Sequence, residues 1–320
     1  MGEDLQVHED FVGLYEMAEI NADSLVGAIR DSLIRMNMQI SNCRGQCYDG
    51  ASNMSGSKRG VAAQIASKES QALFIHCFAH SLNLAAADTI KQSKVCSDAS
   101  EVAFEVTKLI KFSPKRNAVF DQIKSNEDES VGGSIRSFCP TRWTVRGNSI
   151  SSIIDNYTVL VQVWEECLDT KLIPDVKARI IGVKAQMTHI NQLFGLRLCE
   201  RIFRITENLS KTLQTKSLSA AESYHLAEMT VTTLESMRTE EAFGLFFERL
   251  KILRQELSVE EPSLPRRKKP TRRFEYGDGE AYHSDTVAEH YRRQYFEVVD
   301  LAVTSIKSRF DQPGYAMYNF

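Results

Sequence analysis

The sequence predicts an α/β unit up to about residue 95, followed by a segment that is helical almost throughout. Three observations support this. Short apolar runs alternate with helix-period stretches in the first part. A helical stretch runs from Ile150 to Leu168, and from Pro174 to about Leu257 glycines are few and apolar residues recur at helical spacing. A proline-containing, strongly basic stretch over 258–280 then reads as a linker.

The elements follow in order. Phe11-Val12-Gly13-Leu14-Tyr15-Glu16-Met17 has the large apolar side chains of a strand. Asn21 and Asp23 offer helix caps, and Ala22, Leu25, Val26, Ile29, Leu33 and Met36 then follow at helical spacing. Cys43–Gly50 is strand-like and ends in Asp-Gly, and Ala51–Gly56 is a small polar loop. Ser57 is placed to cap a helix through Val61, Ala62 and Ile65. Ala72–Cys77 resembles a strand buried on both faces, and its end runs into a helix from His80. The order is strand, helix, strand, helix, strand, helix, as in an α/β sheet unit.

Beyond it, Val102, Val106, Leu109 and Ile110 keep helical spacing until Pro114. Asn126–Gly133 is an acidic loop, and Pro174 is placed to start a helix. The expected organisation is thus an α/β unit over 1–95, a helical domain over 96–257, the linker over 258–280 and a closing helical segment over 281–320.

Bulk properties narrow the function classes. The 320 residues carry a formal net charge of -3 at a sequence pI near 6.2, so nucleic-acid contact has to rest on local patches. No run approaches the roughly 18 apolar residues of a membrane-spanning helix. The acidic start, Glu3 and Asp4, is unlike a signal peptide, so the expectation is a soluble, intracellular chain without a membrane partner. The cysteines number seven, scattered and without a CxxC pair, which fits a reducing compartment, nucleus or cytosol.

Four places carry chemistry. Asp49 sits where a strand ends and a flexible loop begins, so its carboxylate can reach a hard cation such as magnesium beside the sheet edge; Asp-Gly also simply makes turns. In His76-Cys77-Phe78-Ala79-His80, Cys77 and His80 can ligate zinc, with Cys43 and Cys47 completing a site across the sheet. Equally, Cys77 can be a buried small residue and His80 a hydrogen-bonded residue at a helix start. Arg142 can hold a phosphate and Trp143 can stack on an unpaired base, or the two can pack together under a loop. Arg266, Arg267, Lys268 and Lys269 can bind phosphates or direct nuclear import, or simply keep the linker solvated.

Taken in order, Gly45–Gly56, Cys77-Phe78-Ala79-His80-Ser81-Leu82-Asn83-Leu84 and Thr141-Arg142-Trp143 resemble the hAT superfamily of DNA transposases. The branch is the one related to zinc-finger MYM-type and THAP-containing transposon-derived proteins. The resemblance implies an RNase H-like α/β core interrupted by a large helical insertion, mostly α by content. It implies three acids holding two divalent metals, magnesium or manganese, for DNA cleavage and strand transfer. Asp49 matches the second acid and, in that role, would be catalytic and a metal ligand. Cys77 and His80 match the Cys-x-x-His motif, and Trp143, beside Arg142, matches the tryptophan that stacks on a flipped base.

The resemblance also implies that the first acid belongs to a strand ahead of this chain's start and the last to a helix beyond its end. The expectation is therefore a core truncated at its start and a transposase-derived nuclear protein with one acid, without catalytic activity of its own. DNA, a second copy or protein partners are its expected contacts. The alternative is a domesticated nuclear interaction scaffold without DNA chemistry.

Overall fold

The computed structural model describes residues 11, 13–126, 132–138, 145–213, 220–264 and 286–310. The chain divides into two compact units, Met1–Ser81 with Phe310–Phe320, and Leu82–Arg309.

In the first unit, helix α1 (Ala22–Arg35) begins where Asn21 accepts the Ser24 N–H at 2.9 Å, the cap its sequence position predicts. It ends as Asn37 adopts a left-handed φ of 53° and the Met38 N–H returns to the Leu33 carbonyl at 2.8 Å. A 3-10 turn (Ile40–Asn42) leads to strand β1 (Gly45–Tyr48). The short helices α2 (Ser52–Ser55) and α3 (Val61–Ala66) then connect it to strand β2 (Leu73–His76). The strands are parallel, with Cys47 opposite Ile75 and Tyr48 opposite His76.

The core of this unit is small. Val26, Val61, Ile65 and Ala72 are buried, with Leu25, Ile29, Ile40, Tyr48 and Met54 packed against them. Polar ties supplement it. The buried Gln46 amide donates to the carbonyls of Ala62 (3.1 Å) and Ala72 (2.9 Å), fastening β1 to the ends of the crossover. Asn53 holds the Ile20 carbonyl at 2.8 Å, and Gln64 reaches Asp23 at 2.7 Å.

Three expectations are corrected here. Gly13–Met17 forms no strand; Leu14 is 91% exposed, and among the described residues no strand pairs with this stretch. Helix α3 is capped at Gly60 rather than Ser57, because the backbone turns back so tightly that a Cβ at Gly60 would lie 2.4 Å from the Gly56 nitrogen. Strand β2 is not buried on both faces: Leu73 is 39% exposed, in a sheet of two strands among the described residues.

Helix α4 (Phe78–Gln92) passes from the first unit into the second, which is built wholly of helices among the described residues. These are α5 (Lys94–Lys111), α6 (Pro114–Ser125), α7 (Arg146–Asp155), α8 (Tyr157–Leu168), α9 (Pro174–Met187), α10 (Ile190–Leu213), α11 (Ala220–Ser236), α12 (Glu240–Glu256) and α13 (Val287–Phe310). Pro114 and Pro174 both open helices, where a missing N–H costs nothing. Ser93, Ser113 and Thr239 cap α5, α6 and α12.

Helix α10 is the axis of this unit and packs against α5, α7, α9, α11 and α12. Gly195 lets it approach α5, since a Cβ there would stand 2.9 Å from the Val95 carbonyl oxygen. An aromatic layer of Phe194, Phe243, Phe246, Phe247, Tyr291 and Tyr295 joins α10, α12 and α13, with Phe194 and Tyr291 ring centres 4.9 Å apart. Trp164 is fully buried, its indole N–H directed at the Met187 sulfur at 3.4 Å. Each such side chain contributes about 1.5–3 kcal/mol through burial. The architecture is therefore mostly helical, with a small parallel sheet in an α/β unit at the start. No helix among the described residues is long and apolar enough to cross a membrane.

Candidate functional site

Two parallel strands end on the same edge, so whatever follows β1 lies beside whatever follows β2. Asp49 is the first residue after β1 and Cys77 the first after β2. With Tyr48 opposite His76, they occupy neighbouring positions along that edge. The Cys77 N–H donates to the Tyr48 carbonyl at 2.9 Å, carrying the ladder one bond past the strands.

Asp49 is exposed, and its Oδ1 accepts the Ala51 N–H at 3.1 Å. That is the turn-forming role of an Asx residue, so one carboxylate oxygen already shapes the loop entering α2.

Cys77 opens α4. The Ser81 N–H donates to the Cys77 carbonyl at 2.9 Å, so Cys77 stands at the start of the helix. Side chains alternate along a strand, so Cys47, Ile75 and Cys77 share one face while Tyr48, Phe74 and His76 share the other. The rings of Phe74 and His76 meet edge to face at 4.7 Å on that second face.

On the first face the strand register sets Cys47 beside the position that Cys77 follows. The neighbouring Cys47 and the helix-start N–H groups bring the Cys77 thiol down to about 5, against the opposing effect of burial. The neighbouring Cys77 and burial push the Cys47 thiol up.

The arrangement bears on both metal expectations. His76 faces away from Cys77, and no group of three or more His, Cys, Asp or Glu among the described residues can hold a metal ion. The neighbours of Asp49 along the edge are thiols, whereas magnesium or manganese takes several oxygen ligands. The described residues do not fit a two-metal centre. Cys43 does not join the pair; its thiol points at the Gly45 carbonyl, 3.3 Å away. Arg142 and Trp143 lie outside the described residues, as do Arg266, Arg267, Lys268 and Lys269.

One constellation was not anticipated from the sequence. Arg146, the first residue of α7, is 3% exposed and donates to Asn83 at 3.2 Å, with its guanidinium 5.9 Å from the Phe203 ring centre. Beside it the Glu207 carboxylate accepts the Gly147 N–H at 2.7 Å. Burial pushes the Glu207 carboxyl up, opposed by the N–H groups of Gly147 and Arg146. The one available signal was its place: Arg146 comes three residues after Trp143.

Comparison with known proteins adds the following. Residues 1–60 match a family described as "DUF4371: ZMYM1/FAM200, RNase-like domain". The mouse (Mus musculus) protein named "52 kDa repressor of the inhibitor of the protein kinase" is 27% identical over 179 residues, covering 54% of this chain and 23% of the relative. The human (Homo sapiens) protein of the same name is 27% identical over 169 residues, covering 51% of this chain and 21% of the relative. The chain thus spans less than a quarter of the length of these curated relatives. No solved structure matches. The start of the chain is similar to an RNase-like domain, and the α/β unit described above is consistent with that likeness.

Proposed function

We propose that this chain belongs to a transposase-derived nuclear protein of the hAT type that contacts DNA and does not itself cut it. The observation that carries this reading is Asp49, at the C-terminal end of a parallel strand within the stretch similar to an RNase-like domain. A nuclease carboxylate would stand at such an edge. Here one of its oxygens is committed to the Ala51 N–H, and its neighbours along the edge are thiols. Asp49 on this reading is the remnant of an acidic triad, and the ancestral reaction is DNA cleavage and strand transfer. DNA contact falls to Arg142, Trp143, Arg266, Arg267, Lys268 and Lys269, by charge and by base stacking.

The test is fluorescence anisotropy of the full chain with duplex and hairpin DNA across a salt series. Binding should weaken with salt. Reversing Arg266, Arg267, Lys268 and Lys269 to Glu together should lower the salt slope by about 3.6, since each neutralised phosphate contributes roughly 0.9. Trp143→Ala should weaken hairpin binding about tenfold and duplex binding less. An unchanged slope removes the linker from the site.

A second reading is a nuclear protein-interaction scaffold, favoured by the names of the relatives, which describe a repressor of an inhibitor of a protein kinase. In that case the helical unit binds a protein partner or a second copy, and salt-sensitive DNA binding is absent.

A further inference from the structure

Within the helical unit, α4 and α5 border a cavity of about 380 Å³. Ala87, Ile90 and Lys91 line it from α4, and Ser100 and Phe104 from α5. Each set recurs three or four residues apart, so one face of each helix is turned to the space. Phe138 and Arg146, from the chain ahead of α7 and from its first residue, close the described wall.

Burial separates the mouth of this cavity from its floor. Lys91 and Glu101 on its wall are exposed, whereas Ser100, Phe138 and Arg146 are 8%, 4% and 3% exposed. The floor is fixed from behind. The Phe138 N–H donates to the Thr107 hydroxyl at 3.1 Å, and Arg146 donates to Asn83 at 3.2 Å.

Ser100 points to an occupant. Thr89, Thr206 and Thr230, in other helices of the unit, each return the hydroxyl to the carbonyl four residues back. The Ser100 hydroxyl is buried and has no hydrogen-bond partner on the protein. A buried hydroxyl in that state is unfavourable unless a group it can bond to enters the space.

From these observations we propose that the cavity binds a small aromatic monocarboxylate, with its ring on the apolar wall and its carboxylate at the Ser100 hydroxyl and the Arg146 guanidinium. Ala87, Ile90, Phe104 and Phe138 supply the surface for a ring, and the volume falls in the roughly 300–1,000 Å³ range of small-molecule pockets. The hydroxyl can donate to a carboxylate, and a guanidinium held inside the protein favours negative charge beside it more than one in water does. Arg146 and Lys91 outweigh Glu101 on the wall, which suits one negative charge. Glu101 at the mouth opposes a second, which disfavours phosphates and dicarboxylates.

The test titrates the full chain with 2-naphthoate by isothermal titration calorimetry, with 2-naphthamide as the neutral control. Expected is saturable binding of the acid, about tenfold tighter than the amide or more. Hydrogen exchange over residues 87–104 should slow when naphthoate is present. Ser100→Ala deletes a hydroxyl that bonds nothing on the protein, so it should weaken naphthoate about tenfold and leave the melting temperature unchanged or raised. Ala87→Phe fills the space from its wall and should abolish binding. Circular dichroism checks its fold, and the acid–amide comparison stands without it. No saturable binding at millimolar naphthoate, equal affinity for acid and amide, or undiminished binding to Ser100→Ala would overturn the proposal. Tighter binding of thymidine or adenosine than of naphthoate would also overturn it, by assigning the cavity to a nucleobase.

Discussion

The two units are stabilised in different ways. The helical unit rests on apolar mass: Trp164, Tyr157, Phe194, Tyr291 and Tyr295 are each at most 1% exposed, and α10 lies so close to α5 that Gly195 has no room for a Cβ. The α/β unit has four buried residues in its core cluster and relies on side-chain amides, with Gln46, Asn53 and Gln64 each holding a backbone carbonyl. The difference teaches where chemistry can be placed. Cys96 and Cys199 within the helical core are sealed, whereas the small sheet presents Asp49 and Cys47 at an exposed edge.

The sharpest way to break this contrast is Gly195→Val. Its side chain meets the Val95 carbonyl, which belongs to backbone and cannot turn away, so the helical unit should lose about 3 kcal/mol or more in chemical denaturation. A loss under 1 kcal/mol would mean that α10 and α5 are loosely packed. Next is Gln46→Ala, which removes a shared donor from the Ala62 and Ala72 carbonyls and should cost about 1–3 kcal/mol. Hydrogen exchange should place that loss within residues 22–76 and leave α10 protected. Equal loosening of both units would show that they do not stand independently.

Glu207 sharpens the comparison through pH. Its folded value is raised by burial, so its contribution to stability is full below the ordinary carboxylate range and is lost as pH rises through the folded value. Glu207→Gln keeps an acceptor for the Gly147 N–H and should flatten this decline in the helical unit's melting temperature. A steeper decline in the variant would mean that Arg146 and Lys211, rather than burial, govern the group. The smallest effect is expected at Gly244 within α12, where a Cβ meets nothing within 4 Å. Gly244→Ala should stabilise by up to about 1 kcal/mol.

How much of this was legible in the sequence depended on locality. The Asn21 cap, the prolines that open α6 and α9, and the end of β1 just before Asp49 follow from signals within a few residues. Strand formation at Phe11–Met17 was misread because a strand depends on its partner, and an apolar run alone does not supply one. Ser57 looked like a cap, but the start of α3 is set by the close approach of Gly56 and Gly60, which the sequence marks only as two glycines.

At the site, Asp49, Cys77 and His80 were visible as motif residues, while the placing of Cys77 near Cys47 required the strand register. The same register places His76 on the other face of the sheet from Cys77, and among the described residues no group of three or more His, Cys, Asp or Glu is placed to hold a metal ion. Arg146 and Glu207 lie 61 positions apart and meet only because α7 packs on α10.

On the proposed reading this chain keeps the strand edge of a nuclease as a remnant and contacts DNA without cutting it. The most direct test incubates the full chain with end-labelled hairpin and duplex DNA in magnesium and then manganese, scoring bound and cleaved DNA in the same samples. The account predicts salt-sensitive binding and intact strands, with Asp49→Asn behaving as the wild type. Metal-dependent strand scission that Asp49→Asn abolishes would contradict it.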